Sequence, residues 1–417
     1  MADDGLVRSK LTDESIELMR RRIGYPNPTL RGGIITKTPW NTVATADTIR
    51  HWAIGIGDDN PLFTDAEYGE TTRWGGMIAP PGYETTMGYD RSKKMDPEFE
   101  KETSKALRGV QLFNSGVETF YHAPITLGTK LYKSMWVDKV DEKQSRFGGR
   151  SALVTNRWAQ WDQNDNVLIT ASNWFVHVER EQRDKKESRA EKESGKNLQA
   201  ELTPYTDQQL EEIETAYDNE FRRGSGTLYL EDYQVGDLLP KMVKGPFTLT
   251  DHINFYIGWG WGNYGNPPWR LAYENRKVLR GFYTRNEFRA WDTLQRLHWD
   301  IDLAHKVGVQ STYDIGPQRN AMVCQYSTNF AGDNAWVYRT RCEYRNFNFV
   351  GDTTWIQGEV IEARVDEKLG PLLELKITGT NQRGQENIRA SATILCGSRA
   401  HGELKLPPTP PLPEHRS

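Results

Sequence analysis

Apolar positions recur at helical spacing in two short stretches of the chain and alternate with polar ones in four longer stretches, and these fall into two similar sets. In the first half, Thr45 and Asp47 open TADTIRHWAIGIG, where Ile49, Trp52, Ala53 and Ile56 mark a helix. In the second half, Thr250 and Asp251 open TDHINFYIGWGWG in the same manner. Strand-rich stretches follow each helix: VETFYHAPITLGTKLYKSMWVDKV and SALVTNRWAQWDQNDNVLITASNWFVHV, then VYRTRCEYRNFNFVGDTTWIQGEVIEARV and LLELKITGTNQRGQENIRASATILCG. Turn-forming pairs (Gly128-Thr129, Asn164-Asp165, Gly351-Asp352, Arg383-Gly384) divide each stretch into two strands. One early helix followed by four or five antiparallel strands, written twice, predicts an α+β fold in which a sheet wraps the helix. Two such units packed side by side shield an otherwise exposed sheet edge.

Between the repeats, Glu179–Lys196 reads EREQRDKKESRAEKESGK, too polar to bury a core face, and is expected to be a solvated linker or exposed helix. Thr206 with Gln209 forms a capping-box pattern, and Leu210, Ile213, Tyr217 and Phe221 then make a stripe predicted to clamp onto a flanking domain. From Leu406 the sequence LPPTPPLPEHRS is Pro-rich and is expected to be extended and disordered; its PxxP spacing is weak evidence for a partner. The expected division is 1–180, an N-terminal repeat; 181–224, linker and helix; 225–402, a C-terminal repeat; and 403–417, a tail.

Composition narrows the function classes. With 417 residues, 37% hydrophobic and 26% charged, the chain has the make-up of a soluble globular protein large enough for two cores. A formal charge of −4 lacks the basic excess of a dedicated nucleic-acid binder. No apolar run approaches 18 residues, so no membrane span is expected. The start, MADDGLVRSK, is polar where a signal peptide would be apolar. Cys324, Cys342 and Cys396 lie far apart with no CxxC pair, which fits a reducing cytoplasm and gives neither a disulfide framework nor a zinc knuckle. His51, His122 and His252 lack metal-ligand spacing and are read as structural histidines; no metal site is expected. No nucleophile elbow or Walker loop occurs. Fourteen Trp suit a large aromatic core and also flat or greasy ligands.

GDDNPLF (Gly57 to Phe63), followed by Thr64 and Asp65, resembles the G-D-x-N-P-L-H signature of MaoC-like dehydratases and (R)-specific enoyl-CoA hydratases. YLEDYQVGD (Tyr229 to Asp237) resembles the opening strand and turn of such a domain, and LHWDIDLA (Leu297 to Ala304) the end of the signature. The resemblance covers roughly residues 20–180 and 225–400 and implies a double hotdog, two helix-and-sheet units fused as a pseudo-dimer. It further implies a hydratase/dehydratase acting on a 2-enoyl-CoA or 3-hydroxyacyl-CoA thioester, with coenzyme A as part of the substrate and no separate cofactor. Hotdog units commonly pair, so a homodimer is compatible with it. The fold also hosts thioesterases, and an acyl-CoA-binding subunit without catalysis is a third possibility.

Members of the family hold and activate one water with an Asp and a His of the signature, five residues apart. The first half keeps Asp58 and Asn60 but carries Phe63 in place of the histidine, which predicts a catalytically silent half. Asp58 and Asn60 are then candidates either to line the substrate site or simply to hydrogen-bond the loop that ends the helix. The second half keeps His298, the candidate acid/base, while Asp292, the candidate water-positioning carboxylate, stands six residues before it. Gly316, ahead of Pro317, is the candidate amide donor to the thioester carbonyl at a helix start, or only a tight helix entry. An insertion of about thirty residues near 262–291 precedes His298 and is expected to be a lid or pocket wall. Its Arg270, Arg276, Lys277 and Arg280 are candidates for the phosphates of coenzyme A, or a surface basic cluster.

Overall fold

Eight long strands, four from each half, lie in one continuous sheet of the computed structural model, which describes residues 9–30, 32–144, 150–178, 204–260 and 266–417. The charged run Glu179–Lys196 lies outside the described residues. The strands are β1 (Tyr89–Asp90), β2 (Gln111–Tyr121), β3 (Tyr132–Gln144), β4 (Arg150–Trp161), β5 (Val167–Val178), β6 (Met242–Lys244), β7 (Tyr283–Arg285), β8 (Trp291–Thr293), β9 (Trp336–Tyr344), β10 (Thr354–Asp366), β11 (Gly370–Asn381) and β12 (Glu386–Leu395). The large sheet runs β1-β3-β4-β5-β2-β9-β12-β11-β10-β6, and β7 pairs with β8 in a separate hairpin.

Each of the four turn pairs read from the sequence closes its hairpin or strand connection. Gly128, Gly351 and Gly384 take the left-handed backbone such turns require (φ +85°, +96° and +72°). Asp165 does so as well (φ 65°), beside Asp162, whose carboxylate accepts the N–H groups of Asn164 and Asn166 at 2.8 and 2.9 Å. The halves join where β2 and β9 pair antiparallel, with Glu118 opposite Arg341. The offset that aligns Gly128 with Gly351 also aligns Glu118 with Arg341, so equivalent residues meet there and a pseudo-two-fold axis passes between them.

The helices are α1 (Asp13–Arg20), α2 (Ala46–Gly55), α3 (Pro61–Thr64), α4 (Ala66–Glu70), α5 (Pro97–Thr103), α6 (Asp207–Asp218), α7 (Leu249–Trp259), α8 (Trp269–Val278), α9 (Ile301–Lys306) and α10 (Gly316–Ala331). The early helices α2 and α7 start at capping boxes on Thr45 and Thr248; the second start is therefore two residues earlier than the Thr250 expected from sequence. The sheet does not wrap these helices. They pack on each other, with Trp52 edge-on to Phe255 at 5.9 Å. The helix held by the sheet of the second half is α10, whose Val323, Tyr326, Phe330 and Ala331 join Ile356, Val360, Leu375, Ile377 and Ile394 in one core. Among the described residues the first half has no helix of that length in the corresponding place: the short α4 and a 3-10 turn, Tyr83–Thr86, stand between its signature and β1. Ile16 and Met19 of α1 instead pack with Val137, Val140 and Val154 of the sheet.

Three further expectations meet the structure here. The capping box of α6 is present, and its Ile213 is buried while Tyr217 reaches the Gly245 carbonyl at 2.9 Å, so the helix clamps onto the second half beside β6. The 403–417 tail is not disordered: Leu412 packs near Tyr132 and Trp161, the His415 ring lies 4.8 Å from Trp136, and the Ser417 N–H reaches the Arg91 carbonyl at 2.8 Å. Its prolines extend it along the first half, and its few apolar side chains anchor it there. The described part of the insertion is not a loop but α8 and the β7–β8 hairpin. Asn275, fully buried, ties it to the first half by accepting the Ile34 N–H and donating to the Tyr283 hydroxyl, both at 2.9 Å. Among the described residues no helix is long and apolar enough to cross a membrane.

Candidate active site

His298 ends a 3-10 turn, Leu294–His298, that leads from β8 into α9. It is 8% exposed, and its Nδ1 lies 2.8 Å from the Tyr313 carbonyl oxygen. A carbonyl can only accept, so Nδ1 carries the ring proton and Nε2 is left as the base. The Tyr313 ring stands edge-on to the imidazole at 4.6 Å. Burial, with His252 alongside, pushes the pKa of His298 down to about 3, so the ring is neutral through the physiological range. Three residues beyond Tyr313, Gly316 begins α10, with no side chain capping the helix start. No described residue accepts from the Gly316 N–H. A Cβ there would meet the Tyr344 ring at 2.6 Å and the Asn114 amide at 3.0 Å, so only glycine fits. The geometry places a neutral base and a helix-start amide at the same end of α10.

Asp314, the residue between, is spoken for. Arg319, also buried, donates from Nε to its Oδ2 at 2.9 Å and from Nη2 to its Oδ1, and Asn348 donates to Oδ2 at 3.3 Å. Arg319 also reaches the Asn346 and Asn387 carbonyls at 2.8 and 3.0 Å, so the pair fixes the start of α10 with its charges matched. Asp292 lies on β8, and its Oδ1 accepts the Thr293 N–H at 2.7 Å. No hydrogen bond joins Asp292 to His298. A residue read from the sequence as a structural histidine stands beside His298. His252 of α7 has its ring centroid 5.7 Å from that of His298, its Nδ1 3.0 Å from Gln318 Oε1, and its Nε2 buried without a partner. Aligning the two N-caps would have exposed it, because His252 then falls opposite Ile49.

The four basic candidates lie on or just after α8. Arg276 stacks on Trp291 at 4.7 Å and on Tyr273 at 5.7 Å, with its Nη1 buried and unpartnered. Lys277 is paired with Glu274 at 2.9 Å. Arg270 and Arg280 are exposed.

In the first half, Asp58 Oδ1 accepts the Asn60 N–H at 3.0 Å and Asn60 Oδ1 accepts the Leu62 N–H at 3.1 Å, capping α3. These bonds are the loop-holding ones expected of them. Asp58 Oδ2 is buried without a partner, and burial pushes its pKa up to about 6. Gln325 of α10 donates to the Gly57 carbonyl at 2.9 Å. Phe63 and Asn60 line a small cavity with Trp74, Trp336 and Gly332. Gln318 and Gln325 are seven residues apart, about 10 Å along the helix, so His252 of α7 and the first-half signature at Gly57 address different stations of the one helix α10. Among the described residues no group of three or more His, Cys, Asp or Glu side chains is placed to hold a metal.

Comparison with known proteins agrees with this architecture. Residues 33–171 match the family described as FAS1-like, dehydratase domain region. No curated protein matches the chain in sequence. Among solved structures, a MaoC-like dehydratase superposes with a TM-score of 0.56 at 14% identity, over 90% of this chain and 99% of its own. A MaoC domain protein dehydratase from Chloroflexus aurantiacus J-10-fl gives a TM-score of 0.51 at 13% identity, over 88% of this chain and 96% of its own. At these identities the likeness is one of fold. Residues 33–171 thus match a dehydratase-domain family by sequence, and across both halves the chain has the double-hotdog fold seen in MaoC-like dehydratase structures.

Proposed function

We propose that the chain is a hydratase/dehydratase of 2-enoyl-CoA and 3-hydroxyacyl-CoA thioesters, with its working site in the second half. The observation that carries this reading is His298: a neutral, buried imidazole, its proton fixed on Nδ1 by the Tyr313 carbonyl, at the N-terminal end of α10. Hydration needs a base to take a proton from water as the oxygen attacks C3, and the same group can return that proton to C2. Charge then gathers on the thioester oxygen, where the Gly316 N–H and the positive end of the α10 dipole stabilise it. Asp292 would adjust the water from the β8 side, and Arg270, Arg276, Lys277 and Arg280 would meet the phosphates of coenzyme A, Arg276 with the clearest means to do so because its Nη1 is unpartnered. Phe63 supports a single site, since a phenyl ring transfers no proton. The test is absorbance loss of trans-2-enoyl-CoAs of several chain lengths, with a thiol reagent present. We expect hydration without thiol release and its abolition in His298→Ala; full activity in that variant rejects the reading, and thiol release makes the chain a thioesterase.

A further inference from the structure

His252 stands four residues past the N-cap of α7; four residues past the N-cap of α2 the first half has Ile49. Both positions are buried, at 1% and 0% exposure. An imidazole in the place of an aliphatic side chain loses the hydration of two ring nitrogens, which is costly unless both find partners. Among the described residues only one does. Nδ1 meets Gln318 Oε1 at 3.0 Å and so carries the proton, which leaves the lone pair on Nε2. His298 has the same polarity, with Nδ1 on the Tyr313 carbonyl. Two acceptor nitrogens thus belong to rings 5.7 Å apart and inclined at 37°. A water that donates one proton to each would lie about 2.8–3.0 Å from either nitrogen.

Asp314 does not compete for that role, because Arg319 and Asn348 engage both of its oxygens; Asp292, whose Oδ1 accepts the Thr293 N–H, would act on the water only from the β8 side. We infer that His252 and His298 hold one water between their Nε2 atoms, and that His252 is the second water-holding group of the site, in the place where a signature carboxylate would act. The inference rests on the hydratase/dehydratase reading of His298. In hydration one O–H bond of that water breaks toward His298 Nε2 and the oxygen bonds to C3. The π pair moves toward the thioester carbonyl, and the proton held by His298 passes to C2. His252 fixes the second O–H and exchanges no net proton; dehydration runs the same steps in reverse. Burial, opposed by the Gln318 hydrogen bond and by Asp314, keeps the His252 pKa low, consistent with an acceptor at neutral pH.

Two measurements on the full chain test this. The first is kinetics on crotonyl-CoA and trans-2-octenoyl-CoA for His298→Ala, His252→Ile (the residue of the first half) and Gln318→Met. We expect His298→Ala to be inactive, His252→Ile to lose about 100-fold or more in kcat with KM changed less than about threefold, and Gln318→Met to lose less. Full kcat in His252→Ile beside an inactive His298→Ala overturns the inference and leaves His298 in place; full activity in His298→Ala overturns the underlying reading instead. The second is histidine nitrogen NMR of the unliganded protein, which needs neither substrate nor variant. We expect both rings to carry the proton on Nδ1, and a His252 ring protonated on Nε2 overturns the inference.

Discussion

Gly55 and Gly258 touch where α2 crosses α7: a Cβ on Gly55 would lie 2.8 Å from Gly258 Cα, and one on Gly258 2.9 Å from Gly55 Cα. Each is ten residues past its N-cap, so they are equivalent residues meeting on the pseudo-two-fold axis, as Glu118 and Arg341 do in the sheet. The opposing atoms are helix backbone, which cannot swing aside. Gly55→Ala is expected to cost about 1–3 kcal/mol through displacement of one helix. Gly76→Ala, where nothing lies within 4 Å and the backbone is not left-handed, should stay within about 0.5 kcal/mol of wild type. Urea unfolding of both variants decides it; equal stability would mean the helices slide apart freely.

Arg296 should matter more for stability than any surface pair. Its side chain is 2% exposed; Nε donates to Asp300 at 2.8 Å, Nη1 to the Thr284 hydroxyl at 2.7 Å and the Thr293 carbonyl at 3.2 Å, and Nη2 to the Arg285 carbonyl at 2.9 Å. It therefore holds both strands of the β7–β8 hairpin and the turn that presents His298. Arg296→Met would leave Asp300 and the Thr293 and Arg285 carbonyls without their donor, at a cost of about 3–5 kcal/mol, and Arg296→Lys would recover only part of it because one ammonium cannot span the same acceptors. We expect faster proteolytic cleavage between residues 279 and 300 in both variants, Met ahead of Lys. Cleavage at the wild-type rate would show that the hairpin is held by other contacts.

Glu84 gives a pH dependence of known sign. It is 2% exposed, its Oε2 accepts the Gly82 N–H at 2.8 Å, and burial pushes its pKa up to about 7 from the ordinary carboxylate range. A carboxyl whose folded pKa is raised favours the fold while protonated. That contribution is complete below the unfolded pKa of about 4.5 and is lost as pH climbs through 7, amounting to ~3 kcal/mol at most. Glu84→Gln keeps an oxygen for Gly82 and cannot ionise. It should match wild type near pH 4.5 and exceed it at pH 8, as read by urea midpoints at the two pH values. A deficit equal at both would point to lost packing instead.

How much of this was legible in the sequence depended on whether apolar spacing decided the structure. The eight long strands alternate and end at Gly or Asx turns, so the sheet and its duplication followed directly. In contrast, α10 buries Gln318, Arg319, Asn320, Gln325 and Asn329 along with Val323 and Phe330, so no stripe marks it. Likewise α8 exposes Leu271, Tyr273 and Val278 and is held by the buried amide of Asn275, which inverts the usual pattern. At the site, His298 and the loop bonds of Asp58 and Asn60 came from the signature residues. His252 did not, because its partner Gln318 is 66 positions away and only the fold brings them together.

The C-terminal tail offers the sharpest contrast between composition and structure, and a direct check. Leu404 is 4% exposed and its carbonyl accepts Arg73 Nη2 at 2.8 Å. Beyond it the chain crosses to the first half, where Leu412 sits beside Trp161, the His415 ring lies 4.8 Å from Trp136, and the Ser134 hydroxyl donates to the His415 carbonyl. A Pro-rich segment loses little backbone entropy on docking, because its extended form is already preferred in solution. A few contacts therefore suffice to hold it. Removing residues 407–417 should lower stability by about 1–3 kcal/mol and shift tryptophan emission to the red as Trp136 and Trp161 lose their cover. Leu412→Ala alone should give about 1 kcal/mol of that loss, since its side chain is only half-buried. Unchanged melting and unchanged emission after truncation would mean that the tail does not rest on the first half in solution.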